Sequence, residues 1–323
     1  MQLGCEALLV CAAIWLKSAR VNLNRLHCAL LSWHAPLAMT TKQAATGSLY
    51  VVATPIGNLS DMVPRAVEIL QQVDCIVCED TRHSRRLLDH FHISKPLLSL
   101  HEHNEDTVMS ALLSRLQGGE TLALISDAGT PLISDPGYAL VRAARINHIQ
   151  VVPIPGPSAV ITALAAAGLP SDRFVFEGFL PAKAGQRLQR LQSLCRESRT
   201  LIFYEAPHRV QASLMDMVTA FGAEREAVIA RELTKAHETI RLLPLQDLHQ
   251  FVATDPNQQK GEIVLLVRGY QAKIKQAIDT DTESVLRLLA EHLPPKKAAN
   301  LTAKITGVDK KRLYEFITQT KSS

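Results

Sequence analysis

Between residues 48 and 154 short β-branched runs alternate with stretches of helical spacing, and this rhythm limits the fold more tightly than any other feature. Residues 48–54 form an apolar strand closed by Pro55-Ile56-Gly57-Asn58, a turn sequence. Helical periodicity over 64–72 leads into a second, buried strand at 74–78. A basic helix over 81–91 and a helix over 107–117 follow, the latter closed by Gly118-Gly119. Then come a strand at 121–126, a helix at 138–147 and a strand at 150–154. Helices that recur between strands act as crossovers, so this part is predicted to be an α/β layer on a largely parallel sheet.

A second unit is expected after the helix at 158–167, with the boundary near Gly168-Leu169-Pro170. Its strands read as 174–179, 200–204, 227–231 and 262–267, with helices over 183–196 and 207–221. Residues 269–282 are polar and poorly patterned, a linker. Beyond them lie three short helical segments at 284–291, 296–305 and 310–318, separated by Pro294-Pro295 and Gly307-Val308-Asp309. From residue 283 onward eight Lys and Arg face four Asp and Glu. Small helices with a basic excess suggest a helix-turn-helix contacting nucleic acid; a solvated cap on the main body is the alternative. The domains are therefore expected at 47–168, 169–270 and 283–320.

A length of 323 residues with 47% hydrophobic content suits two cores and a small appendage. The formal charge of +4 permits a nucleic-acid partner without requiring one. Residues 1–46 are set apart as an unstructured extension. Their apolar run at 7–16 is too short to span a bilayer and carries only Glu6 before it, where a signal peptide needs positive charge. Residues 1–38 read as lying upstream of a true start at Met39, with a cleaved presequence or an amphipathic arm as alternatives. Cys75 and Cys78 have metal-like spacing, but they fall in a buried strand and no second pair follows, so reduced core cysteines are expected.

The densest chemical signal is Ser126-Asp127-Ala128-Gly129-Thr130-Pro131-Leu132-Ile133-Ser134-Asp135-Pro136-Gly137, directly after a buried strand. Loops at the carboxyl ends of parallel strands form ligand crevices, and glycines let backbone approach a ligand. Asp127 and Asp135 are potential acceptors for a cationic or hydroxylated ligand. Pro155-Gly156-Pro157-Ser158-Ala159 repeats the feature at the next strand end, with Ser158 placed to cap a helix. The first loop has a single glycine, and no Walker A sequence is present, which argues against dinucleotide and P-loop sites. Glu79-Asp80-Thr81-Arg82, with Arg85 and Arg86 a turn later, suits either substrate phosphates or a helix with favourable terminal acids. Phe203 to Arg209 and Arg231 to Glu238 are charged strand-end loops, where a rim between domains competes with a catalytic role.

Together these segments resemble the bacterial ribosomal RNA small subunit methyltransferase I family of the tetrapyrrole methylase superfamily. The resemblance spans residues 47 to 320. It implies a two-domain tetrapyrrole-methylase-like α/β fold with a small C-terminal helical domain, and S-adenosyl-L-methionine (SAM) in the interdomain cleft. It also implies a homodimer in the cytoplasm, without a membrane partner, that 2'-O-methylates a cytidine in the decoding region of 16S rRNA in the small ribosomal subunit. The family's cofactor motifs fall on Asp127, Ala128, Gly129, Thr130, Ile133, Ser134, Ser158 and Ala159, with Tyr204 and Glu205 approaching from the second domain. The reduced loop Pro55-Ile56-Gly57-Asn58 departs from that of porphyrinoid C-methyltransferases, the rival reading; a non-catalytic SAM- or RNA-binding protein is another. Charged residues beside the loops supply candidates for a ribose base or electropositive site: Glu79, Asp80, Glu232 and Lys235. Asn58, Arg82, Arg85 and Arg209 are the candidate substrate contacts. The chemistry calls for no metal.

Overall fold

The computed structural model describes residues 47–101, 104–271 and 278–319. The expected extension at 1–46 and the middle of the linker at 269–282 lie outside them. The first lobe runs β1 (Ser48–Val52), α1 (Pro64–Gln72), β2 (Cys75–Cys78), α2 (Thr81–His90), β3 (Leu97–Ser99), α3 (Glu105–Gln117), β4 (Leu122–Leu124), α4 (Tyr138–Ile146), β5 (Gln150–Ile154) and α5 (Ala159–Ala166). Its strands are all parallel, in the order β3-β2-β4-β1-β5. Every residue of β2 is buried, as its unbroken apolar run requires of a strand covered on both faces. On one side Leu49, Val77, Leu122 and Leu124 pack against Leu112, Leu116 and Leu140 of α3 and α4.

Strand order builds the site. Because β4 and β5 flank β1, the loops leaving their carboxyl ends are neighbours. Thr54 and Gly129 exchange backbone hydrogen bonds of 2.8 and 3.1 Å. Thr130 Oγ1 donates to the Pro157 carbonyl at 2.9 Å, tying the loop after β4 to the loop after β5.

The second lobe contains β6 (Phe174–Phe179), α6 (Ala184–Ser193), β7 (Thr200–Glu205), α7 (Val210–Phe221), β8 (Glu226–Arg231), β9 (Thr239–Pro244), α8 (Leu245–Thr254) and β10 (Ile263–Val267). Its order is β6-β7-β10-β8-β9, and only β6 and β7 run parallel. Leu191, Leu214, Met217, Leu248 and Val252 from α6, α7 and α8 cover one face. The other face receives α5, whose Val160, Ala163 and Leu164 pack on Ile202, Val228 and Leu266. This helix, grouped with the first unit by sequence, thus completes the core of the second.

Sequence patterning does not reveal β3, β9 or α8. Strand β3 has three residues, too few for a period, and β9 is an edge strand with exposed Arg241 and Leu242. The helix expected over 207–221 begins as a 3-10 turn at Pro207–Arg209. The basic module folds as α9 (Thr280–His292), α10 (Pro295–Thr306) and α11 (Lys310–Gln319) around Leu286, Ala298, Ala299 and Leu313. Helix α9 starts ahead of its apolar period because Asp279 caps it, accepting from the Thr282 N–H at 2.8 Å. Among the described residues no helix is long and apolar enough to cross a membrane.

Candidate functional site

The loops after β1, β4 and β5 face the ends of β7 and β8 across a cavity of about 360 Å³, the size of a small-molecule site. Ala128, Gly129, Thr130, Ile133 and Ser134 line it from the β4 loop, Ser158 and Ala159 from the start of α5, and Tyr204 and Glu205 from β7. Small residues leave the space open. Gly129 adopts φ +84°, and a Cβ there would sit 3.3 Å from Ile56 Cγ2, itself in the cavity wall. Six non-glycine residues have positive φ among the described residues, and four of them belong to the two loops that line this cavity: Leu132 and Ser134 in one, Glu232 and Thr234 in the other. Such backbone persists where the surroundings over-determine it, and it concentrates at functional sites.

Two expectations need correction here. Asp127 is turned away from the cavity; its carboxylate accepts the Asp80 N–H at 3.3 Å and joins the β4 loop to the end of β2. Ser158 occupies the N-cap position of α5, yet its hydroxyl caps nothing. Tyr204, from the second lobe, lies near enough to the Val160 N–H at the start of α5 for that group to act on its hydroxyl. Burial pushes the Tyr204 hydroxyl up to about 12, with the charge of Asp135 adding and the Val160 contact opposing. Tyr204 therefore stays protonated and can donate into the cavity. Phe176 and Phe179 hold its ring edge-on at 5.0 and 5.5 Å.

Asp135 is the acid of the β4 loop that lines the cavity. Burial raises its carboxyl to about 6, a hydrogen bond with Ser126 works against the rise, and the charges of Glu79 and Asp127 add to it. At neutral pH it is a poorly solvated anion facing an apolar wall of Ile56, Leu233 and Val264, a setting that favours a cationic ligand.

Glu205 lines the cavity, but its carboxylate is committed elsewhere. Its carboxylate is fully buried and accepts from Arg209 Nη2 at 2.7 Å, from the Ala206 N–H at 2.8 Å and from Ser213 Oγ. This corrects two expectations together: Glu205 does not offer its carboxylate to a cofactor, and Arg209 is the counterion of Glu205, unavailable to hold phosphate. Glu232 and Lys235 lie just behind the cavity wall, paired at 2.9 Å, and Lys235 also reaches the Glu262 carboxylate at 3.2 Å. Burial of Glu232 raises its carboxyl, but the Glu262 N–H and Lys235 outweigh it and hold the group low. Burial likewise works against the Lys235 ammonium, and Glu232 and Glu262 outweigh it and hold the group high. Neither shift favours proton abstraction near neutrality.

At the end of β2, Asp80 caps α2 by accepting from the N–H groups of Arg82 and His83 at 2.7 and 3.4 Å. The Arg82 N–H in particular keeps its carboxyl below the usual range. The capping alternative is thus realised for Asp80. Glu79 lies beside it, near enough to Asp135 to affect its charge. Arg82, Arg85 and Arg86 are exposed on α2, the side chain of Arg82 by 92%. Exposed Asn58 caps the 3-10 turn Leu59–Asp61 by accepting from Ser60 at 3.0 Å.

Sequence reasoning missed Gly261, Glu262, Ile263 and Val264, which help close the cavity's far wall. The search for carboxyl ends of strands passes over them because β10 is antiparallel to both neighbours. Its amino end, at Ile263, pairs with Glu205 of β7 and Arg231 of β8. The available signal was Gly261, ahead of a strand, with φ +79° and no room for a Cβ beside the Glu232 carboxylate.

Comparison with known proteins bears on the family and the fold. The family model for Tetrapyrrole (Corrin/Porphyrin) Methylases matches residues 48–249, and that for the RsmI C-terminal HTH domain matches 276–321. The chain is 60% identical over 272 residues to Ribosomal RNA small subunit methyltransferase I of Pseudomonas aeruginosa, covering 84% of this chain and 96% of the relative. The protein of the same name from Escherichia coli O157:H7 is 54% identical, with 84% and 94% covered. Among solved structures, the methyltransferase CobJ aligns with a TM-score of 0.52 at 20% identity, covering 69% of this chain and 95% of CobJ. Cobalt precorrin-4 methyltransferase, CbiF, gives 0.51 at 17% identity, with 69% and 95% covered. At such identities these two structures speak to the fold.

Proposed function

The chain belongs to the ribosomal RNA small subunit methyltransferase I family, and from that premise we propose that it transfers the methyl group of SAM to the ribose 2'-hydroxyl of a cytidine in the decoding region of 16S rRNA. The observation that carries this reading is the interlobe cavity, which nine of the ten residues assigned to the cofactor line. The donor set suits SAM: the Asp135 carboxylate for its positive charge, the Tyr204 hydroxyl and the start of α5 for its polar atoms, and Ile56, Leu233 and Val264 for an apolar base.

Bound SAM supplies a methyl already activated by the sulfonium, so the protein's main task is alignment with the ribose oxygen. The strained loops around Gly129 and Leu233 fix the cavity walls, and Asp135 orients the cationic end. We assign proton acceptance from the 2'-hydroxyl to Glu79, on its place beside Asp135 at the end of β2. Arg82, Arg85 and Arg86 line up at i, i+3 and i+4 on α2; Arg85 and Arg86 make no ion pair among the described residues, which leaves them for RNA phosphates. Lys310, Lys311 and Arg312, exposed at the start of α11, offer a second basic cluster. A homodimer belongs to the same proposal. Exposed Ile161, Phe174 and Leu242 offer it apolar contact, and sedimentation at the monomer mass alone would count against it.

Tritiated methyl transfer from SAM to purified, unmethylated 30S subunits and to uroporphyrinogen tests the proposal. Label is expected on the 30S RNA only. An Arg85→Glu/Arg86→Glu variant should raise KM for 30S about tenfold or more while SAM affinity holds. Label on the porphyrinoid and none on RNA would sink the reading.

A further inference from the structure

The aliphatic stem of Lys235 lies where a side chain at Gly57 would be. A Cβ added at Gly57 would stand 2.5 Å from Lys235 Cγ, 3.0 Å from its Cε and 3.0 Å from the Leu233 carbonyl oxygen. The loop after β1 therefore rests on the loop after β8, lobe against lobe. The far end of Lys235 is anchored as well. Its Nζ is 2.9 Å from Glu232 Oε1 and 3.2 Å from Glu262 Oε2.

Glu232 is fixed in turn. Its Oε1 also accepts the Glu262 N–H at 3.0 Å, and its own N–H donates to the Glu262 carbonyl at 2.9 Å. The close approach of Gly261 and the left-handed backbone of Glu232, at φ +51°, belong to the same knot. Each member sits next to a cavity-lining residue: Gly57 beside Ile56, Glu232 beside Leu233, while Glu262 lines the cavity itself.

We infer that Lys235 is a positioning residue: packed on Gly57 and anchored by Glu232 and Glu262, it latches the two lobes and sets the spacing of Ile56 and Leu233 across the cofactor cavity. The latch rests on the SAM reading above and adds a named interlobe contact to it. It gives the ammonium a purpose other than proton transfer and explains the glycine in an exposed loop that has no need of positive φ. Lengthening the Gly57 side or loosening the Lys235 side should widen the cavity and weaken cofactor binding, without a direct contact between either residue and SAM.

Calorimetric titration of SAM into the full-length protein tests this with wild type, Gly57→Ala, Lys235→Ala, Lys235→Met, Lys235→Arg and the Gly57→Ala/Lys235→Ala double variant. Gly57→Ala and Lys235→Met should each raise the SAM Kd roughly tenfold, on the scale of breaking one well-formed side-chain network. Lys235→Arg, which keeps a stem and a cation for both carboxylates, should stay within about threefold of wild type. The double variant should bind better than the product of the single losses forecasts, because the added methyl no longer meets the stem. If Gly57→Ala fails to fold, the contrast between Met and Arg at position 235 decides. Unchanged Kd values with normal binding by wild type, or strictly multiplicative losses, would overturn the latch. Absence of SAM binding by wild type would overturn the reading beneath it.

Discussion

Asp135→Asn should weaken SAM binding by about 100-fold while making the cofactor-free protein more resistant to heat. About 100-fold is roughly 2.7 kcal/mol, the scale of removing a charge-assisted hydrogen bond from a poorly solvated site. The gain in stability follows from the sign of the pKa change. Burial raises the Asp135 carboxyl from the ordinary 3.8 to about 6 in the folded protein. Folding is therefore opposed by this group once it is ionised. The opposition is absent below about pH 4, where the carboxyl is neutral in both states, and complete above about pH 6. Asparagine removes it, so the Tm of the variant should exceed that of wild type at about pH 7.5 and match it near pH 4. In wild type, SAM affinity should fall as pH drops through about 6 and the anion is lost; in the variant it should be flat there. Calorimetry and thermal melts at several pH values check both limbs. Equal SAM affinity in the two proteins under mildly alkaline conditions would remove Asp135 from the cofactor site.

The second large effect is structural. Glu205→Ala leaves Arg209 buried beside Ser213 without its counterion; the Arg209 side chain is only 18% exposed and that of Glu205 fully enclosed. Breaking a buried pair by removing one partner costs about 3–5 kcal/mol. For lobes of this size that should lower Tm on the order of 10 °C. Replacing both partners, as in Glu205→Leu/Arg209→Met, should recover much of that stability, because no uncompensated charge remains. A melt of Glu205→Ala within about 2 °C of wild type would show that the pair is better solvated than its geometry indicates. Together the two variants separate the acid that serves a ligand from the acid that serves the fold.

Much of this molecule is legible in its sequence, for identifiable reasons. A parallel sheet with both faces covered demands continuous apolar strands, and the run Cys75 to Cys78 meets that demand openly. The β4 loop announces itself through small and polar residues, and Gly129 and Gly137 do take the left-handed backbone that glycine permits. What stayed hidden depends on pairing between distant segments. Nothing local to Glu205 says that its carboxylate meets Arg209 and Ser213 one and two turns onward, since acid and arginine at that spacing also suit a solvated surface. Nothing local to Gly261 says that an antiparallel strand brings its amino end to a cleft built from carboxyl ends. Asp127 and Asp135 flank the same loop and look equivalent in sequence. Only the turn between them, with Leu132 and Ser134 in the left-handed region, sends one to the cavity and the other to the Asp80 N–H.

The most direct measurement of the central claim is nucleoside analysis of the RNA product. Unmethylated 30S subunits are incubated with SAM and the protein, the 16S rRNA is digested to nucleosides, and methylated species are resolved by mass spectrometry. A single 2'-O-methylcytidine approaching one per subunit, appearing with wild type and sharply reduced with Asp135→Asn at limiting SAM, is the expected result. A methyl group on a base, or no new methyl in the RNA while SAM is bound and intact, would contradict the account.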